Sequence, residues 1–286
     1  MCIHKFILSL TVLFLPLGVE KLYAQEYTEI PHNCYTSHGL TFGVGLSNVF
    51  DSYLSPLEYT GMEIRVQRET FRQTTFSDGR VYVQNLLNAH ASATENKAGN
   101  ANMYEGLLSW DLGYFYKFGL NDRLSILTGP ALDLNGGVIY NERNSNNPAQ
   151  AKVSVNLAAS AMLLYRFHWL HKDFLLRYQA TIPFLGAMFT PEYGESYYEI
   201  FELKDSGRHL VMTTPFSAPS IRQTLSLDFP VKQTLIRVSY VGDFQQSKVN
   251  SLKSHVWSHA LLIGFVKNFQ LIKPGDADFK KTPLQP

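Results

Sequence analysis

From Lys152 to Trp169 the chain reads KVSVNLAASAMLLYRFHW and changes character at every step. One set of alternate positions is Val153, Val155, Leu157, Ala159, Ala161, Leu163, Tyr165, Phe167 and Trp169; the other includes Lys152, Ser154, Asn156, Ser160, Arg166 and His168. A period of two belongs to a strand, whose successive side chains point to opposite faces. The first face is apolar throughout and ends in three aromatics, the pattern of a lipid-facing strand with an interfacial girdle. The segment also exceeds the roughly 9–11 residues that a tilted membrane strand needs.

The pattern recurs. Tyr104–Phe118 sets Leu108, Trp110, Leu112 and Tyr114 against Glu105, Ser109, Asp111 and Lys117. After a Gly-Leu-Asn turn, Leu124, Ile126, Leu132 and Leu134 alternate with Arg123, Ser125, Asp133 and Asn135. Pro130 falls on the apolar face of that segment, where a membrane strand accepts it only at a bulge or weak spot. Weaker copies start at His38, Gly61, Asp173, Ile221, Leu235 and His255. Short turns at Gly119–Asp122, Leu170–Asp173 and Pro230–Gln233 alternate with longer polar stretches at Glu95–Asn102, Asn141–Gln150 and Gln245–Ser254. The expected fold is all-β: an antiparallel transmembrane β-barrel of about twelve strands, or about ten if the Tyr193 region does not pair, even as single-chain bacterial barrels are. The short turns and the N-terminus fall on the periplasmic side.

Lys5, the apolar run Phe6–Gly18 and the small residue Ala24 form a signal-peptide pattern. The apolar run is too short for a spanning helix, and no later stretch is apolar enough for one. The expected layout is a signal peptide over 1–24, a periplasmic segment over 25–37, the barrel over 38–270 and a polar tail over 271–286. Cys2 leaves with the signal, so only Cys34 remains and no internal disulfide forms. Export without disulfides fits a bacterial envelope protein. A formal net charge of +1 with no run of like charges excludes an electrostatic case for nucleic-acid binding.

A soluble β-sandwich or lipocalin-like barrel, for instance a secreted carbohydrate-binding protein, also alternates, with its apolar face inward. Segment length and the aromatic ends of the apolar faces favour the membrane. The polar faces then form the lumen, which carries Glu63, Glu105, Asp111, Asp133, Asp228 and Asp243 against Arg65, Arg123, Arg166, Arg177, Arg222 and Arg237. Matched carboxylates and guanidinium forks would bridge across and fill an interior of intermediate width. The expected interior is a charge-laddered plug; the competing reading is a narrow pathway for a small polar solute.

Catalytic signals are weak. A lipid-modifying barrel enzyme needs a serine within reach of a histidine. No GxSxG occurs, and the adjacent pair Ser258 and His259 points to opposite faces. His90, His168 and Ser196 are the positions to test for such an activity. His255 and His259 lie about 13 Å apart at strand rise, too far to chelate one ion. There is no CxxC, HExxH, EF-hand loop or dinucleotide fingerprint, so no metal and no cofactor is expected. PEYGESYYEIFEL, Pro191–Leu203, packs glutamates among aromatics and fits either a strand or a helix. Its Glu195, Tyr197, Tyr198 and Glu199 are the candidate ligand or plug residues. They form a constriction loop paired with lumen arginines, a surface for sugars or cationic peptides, or a divalent-cation bridge to lipopolysaccharide.

PEYGESYYEIF, the stretch RxSYxGDFQQSKVNSL over Arg237–Leu252 and the closing HALLIGF resemble an uncharacterised family of predicted Gram-negative outer-membrane barrels. The resemblance implies the barrel fold and the outer membrane, with outer-membrane lipids, lipopolysaccharide and the barrel-assembly machinery as partners. It implies no activity. Many such barrels end in an aromatic residue; here Phe269 is followed by a polar tail.

Overall fold

The structure is a computed structural model that describes residues 34–145, 147–202, 209–231 and 234–271. The expected signal peptide, most of the 25–37 segment, the tail beyond Leu271 and the last two residues of the Pro230–Gln233 turn lie outside the described residues.

The strands are β1 (Cys34–Asp51), β2 (Tyr59–Gln73), β3 (Val81–Asn96), β4 (Asn102–Gly119), β5 (Leu124–Asn141), β6 (Ala149–Trp169), β7 (Lys172–Phe189), β8 (Leu210–Thr213), β9 (Ile221–Val231), β10 (Thr234–Val249) and β11 (Leu252–Leu271). A six-residue helix, α1 (Tyr197–Glu202), lies between β7 and β8. All pairings are antiparallel. β1 pairs both β2 and β11, and β7 pairs both β6 and β9, so ten strands close into a ring; β8 adds to the far end of β7. Twelve strands do not form, because the Tyr193 region is loop and helix; the count of ten holds. The first strand begins at Cys34, ahead of the expected His38.

Closure leaves no free edge in the ring proper. It needs close approach at the seam of β1 and β11. A Cβ on Gly43 would lie 1.9 Å from the Leu261 carbonyl oxygen, and one on Gly264 would lie 1.9 Å from that of Leu40. Only glycine fits there. Pro130 is the weak spot its position predicts: the β4–β5 ladder runs to Gly113↔Ala131 and resumes at Tyr116↔Thr128, skipping it.

Two chain reversals are two-residue turns with both central residues at positive φ: Leu170 and His171, then Asn250 and Ser251. This is the twist-matched hairpin geometry. The second overturns the expected long loop over Gln245–Ser254, which is strand on both sides of a tight turn.

The faces sort as the alternation requires. Leu40, Phe42, Val44, Leu46, Ile64, Val153, Val155, Leu157, Leu261 and Ile263 are exposed on the outside. The inward residues are buried, and this is the reverse of the soluble alternative. The interior is polar only in its middle. At the end that holds Cys34 and Leu271, Phe71, Tyr82, Phe115, Leu127, Met162 and Leu235 form an apolar layer across the ring, with Phe71 and Tyr82 stacked at 5.2 Å. At the opposite end Val49, Tyr59, Met103, Ile139 and Val256 form a second layer, joined by Leu54 from the β1–β2 loop. Full burial of each large apolar side chain contributes about 1.5–3 kcal/mol.

Candidate functional site

Between the apolar layers the inward side chains form three polar groups. Nearest the terminal end, Glu69 of β2 accepts two bonds of 2.8 Å from Arg177 of β7, one from Arg237 of β10 and one of 2.5 Å from Gln84. Arg237 also forks onto both oxygens of Asp228 at 2.6 Å. Two carboxylates thus meet two guanidiniums in planar, bidentate geometry. Gln84 and Gln179 exchange amide bonds beside them.

The second group is larger. Arg65 donates to Glu63 at 2.8 Å, to Ser258 at 2.8 Å and to Asp243 at 3.4 Å. Arg222 reaches Asp111 at 2.5 Å, Asp243 at 3.2 Å and Asp133 at 3.7 Å. Asn135 and Asn156 donate to Asp133 Oδ2 at 2.9 and 2.8 Å. Asp111 and Asp133 are register partners on neighbouring strands. Four carboxylates here face two arginines, so this group, unlike the first, carries an acid surplus.

The third group centres on Glu105. His90 Nε2 lies 2.9 Å from Oε1, while Ser92 and Ser47 donate to Oε2 at 2.9 and 3.3 Å. The serines bond the carboxylate and not the imidazole. Among the described residues no serine hydroxyl is hydrogen-bonded to a histidine ring. His168 pairs Asp173 at an exposed turn, and Ser196 caps a helix at the other end of the barrel. Ser258 is buried inside, whereas His259 faces outward against Tyr240.

The ring therefore brings together Glu63, Arg65, Asp111, Asp133, Arg222 and Asp243, and separately Arg177, Asp228 and Arg237. Two expected lumen residues are elsewhere. Arg123 is exposed in the β4–β5 turn, and Arg166 is half-buried at the terminal end, its backbone N–H donating to the Arg123 carbonyl at 2.8 Å. Alternation fixes the face of a residue and not its height along the strand. Glu69, Asn88, Gln84 and Lys152 were not among the expected site residues, and His90 was named only as a position to test for catalysis. Glu69 lies two residues past Gln67 on the same face, and that spacing alone would have found it.

Within the Pro191–Leu203 stretch, Tyr197–Glu202 forms a helix, and the reason is local. Ser196 Oγ accepts from the Glu199 N–H at 3.3 Å, while the Glu199 carboxylate accepts from the Ser196 N–H at 2.7 Å. This S-x-x-E capping box satisfies orphan donors at the first turn. The Ser196 N–H, and then its hydroxyl, hold the Glu199 carboxyl below its usual range. Glu195 pairs with His209 at 2.8 Å and not with a lumen arginine, which corrects the constriction-loop expectation. Tyr197 donates to Gln150 at 3.0 Å and accepts from the Ala151 N–H at 2.7 Å. Tyr53 donates to the Glu195 carbonyl at 2.8 Å; burial, followed by the nearby Tyr197 and Glu195, pushes its phenol up to about 12. Tyr198 is 70% exposed. Among the described residues no group of three or more His, Cys, Asp or Glu side chains could hold a metal ion.

A model of the family described as Protein of unknown function (DUF3316) matches residues 6–276. The comparison with curated proteins gives no match. Among solved structures, the chain is similar to the transport unit of the autotransporter AIDA-I from Escherichia coli, at 12% identity and TM-score 0.36 over 92% of this chain and 96% of that one. It is similar to the outer membrane protease OmpT from Escherichia coli, at 8% identity and TM-score 0.39 over 86% and 99%. It is also similar to the translocator domain of autotransporter NalP from Neisseria meningitidis, at 8% identity and TM-score 0.37 over 92% and 95%. Likenesses this distant add nothing to the fold that the strand pairing itself gives.

Proposed function

The chain belongs to that family of unknown function, and we propose that it is a non-conducting outer-membrane barrel, exported by a cleaved signal peptide. In this reading the interior is a packed, charge-bridged core and not a channel. The observation that carries it is the inversion of the faces: the ring is apolar outside and charged inside, with apolar layers at both ends. An exposed apolar belt of this extent is untenable in water, whereas a closed ring satisfies its backbone in lipid. The terminal end then faces the periplasm and the α1 end faces outward, among lipopolysaccharide. Its assembly falls to the barrel-assembly machinery.

The lack of a serine–histidine hydrogen bond among the described residues, and the engagement of Arg65, Arg222 and Arg237 by buried carboxylates, favour a structural or ligand-holding role over acyl transfer or hydrolysis. The test is reconstitution. The purified mature chain should need detergent or lipid to stay monomeric, migrate faster unheated than boiled, and give no conductance in planar bilayers. Steady conductance at low voltage refutes the closed interior. A compact monomer in buffer without detergent refutes the membrane location.

A further inference from the structure

Besides the break at Pro130, the ladder around the ring has a wider gap beside β7. β7 pairs β9 as far as Thr181↔Arg222, and pairs β8 from Gly186↔Thr213 onward. Across this interval β7 advances five positions (186 − 181), while the chain opposite takes nine (222 − 213). The four extra positions are taken up by Thr214–Ser220, which leaves the ladder as a loop containing Pro215 and Pro219. Its Phe216 is 97% exposed. On one side the loop is held to β10: the Lys248 N–H donates to the Ser217 carbonyl at 2.7 Å, and the Gln246 N–H to Ser220 Oγ at 3.3 Å. On the other side no register partner faces Ile182–Leu185 of β7. The opposite edge of β7 slips register there too, leaving Phe184 without a partner on β6.

A cavity of about 100 Å³ lies at this gap. Its lining runs from Asp133, Asp243 and Lys152, inside the ring, to Phe184 and Leu185, which are exposed on the outer face. Asp133 is 3% exposed, and its Oδ1 accepts no hydrogen bond. Arg222 stands 3.7 Å from that oxygen, already engaged by Asp111 and Asp243. Lys152 is engaged by Asp51 and Ser254. A buried carboxylate oxygen whose nearest cation, Arg222, stands at 3.7 Å without a hydrogen bond, in a group with more acids than arginines, has capacity for a further cationic donor. The gap begins ten residues along β7 from Lys172, so it lies roughly 23–28 Å up the wall at strand rise and ordinary tilt. That is the far rim of an apolar band about 25 Å tall, the level of lipid headgroups.

We propose that the cavity is a lateral binding site for the headgroup of a primary-ammonium amphiphile of the ethanolamine class. The ammonium donates to Asp133 Oδ1, and the acyl chains stay in the bilayer, passing out beside Phe184 and Leu185. This rests on the membrane reading above.

The test uses the mature chain in nanodiscs of mixed phosphatidylethanolamine, phosphatidylcholine and phosphatidylglycerol, with co-purifying lipid read by native mass spectrometry. Phosphatidylethanolamine should be retained at least tenfold over phosphatidylcholine, whose quaternary ammonium has no N–H. Asp133→Asn should abolish that preference. Leu185→Trp, which narrows the mouth and leaves the interior charges intact, should lower lipid retention at least tenfold without lowering the binding of free ethanolamine. Equal retention of the three lipids, or a preference unchanged in both variants, overturns the proposal. So does tight binding of free ethanolamine with no lipid retained, because the site then takes a soluble amine. A chain that never enters nanodiscs refutes the membrane reading instead.

Discussion

Glu69→Gln is the sharpest perturbation of the buried charge. Glu69 is 4% exposed and stands between Arg177 and Arg237. It accepts four hydrogen bonds, three of them from guanidiniums. The amide keeps the shape but removes the charge, and turns one acceptor into a donor facing a guanidinium N–H. Removing one partner of a buried ion pair costs about 3–5 kcal/mol, because the remaining charge is left uncompensated. Asp228 still neutralises Arg237, so the uncompensated group is Arg177. Replacing both Glu69 and Arg177 by leucine should therefore cost less than Glu69→Gln alone, since a well-packed apolar pair often matches a buried salt bridge. Reversible urea unfolding in lipid vesicles, followed by tryptophan fluorescence, measures both. Additive losses in the double variant would refute the account of a locally neutral layer.

Other expectations follow from the loops and the seam. Ser196→Ala removes the α1 cap and should destabilise the helix by about 1 kcal/mol, seen as faster amide exchange over Tyr197–Glu202. Because the Glu199 carboxyl is held low, its share of the cap is complete above the unfolded value near 4.3 and is lost as pH falls through the lower folded value; exchange over the same residues should rise in that acid window. Tyr53, raised to about 12, contributes in the opposite sense. Its stabilisation is full below the unfolded pKa of about 10 and disappears as pH climbs through 12, and Tyr53→Phe should remove that late step from an ultraviolet difference titration. Gly264→Val puts a side chain where a Cβ already meets a carbonyl oxygen at 1.9 Å, and should abolish the fast-migrating unheated band.

The strands were legible because alternation is a one-dimensional signal, and it survives wherever one face is greasy and the other wet. Reading failed where that signal is silent. Arg123 sits in the β4–β5 turn and Arg166 near the terminal end of β6, both outside the polar middle. Phe115, Leu127 and Met162 face inward among neighbours that are polar elsewhere, so the apolar end layer was invisible to a two-state pattern. Gln245–Ser254 looked like a loop because inward-facing polar residues mimic loop composition, and Asn250–Ser251 lacks the glycine that advertises a tight hairpin. The helix at Tyr197 was readable from Ser196 and Glu199, since the capping box is a local motif. The excess of acids near Asp133 was not readable, because the partners converge from strands far apart in the chain.

Glu69 is 168 residues from Arg237 and 108 from Arg177, and the first strand docks on the last. Such partners stay strangers until the whole polypeptide is in place. An unfinished copy would hold lone ions with nothing to neutralise them, so the cylinder has no comfortable half-built form. Its two extremities act as the latch, and a chain clipped before the final hairpin should be cleared by proteases and not linger as a smaller barrel.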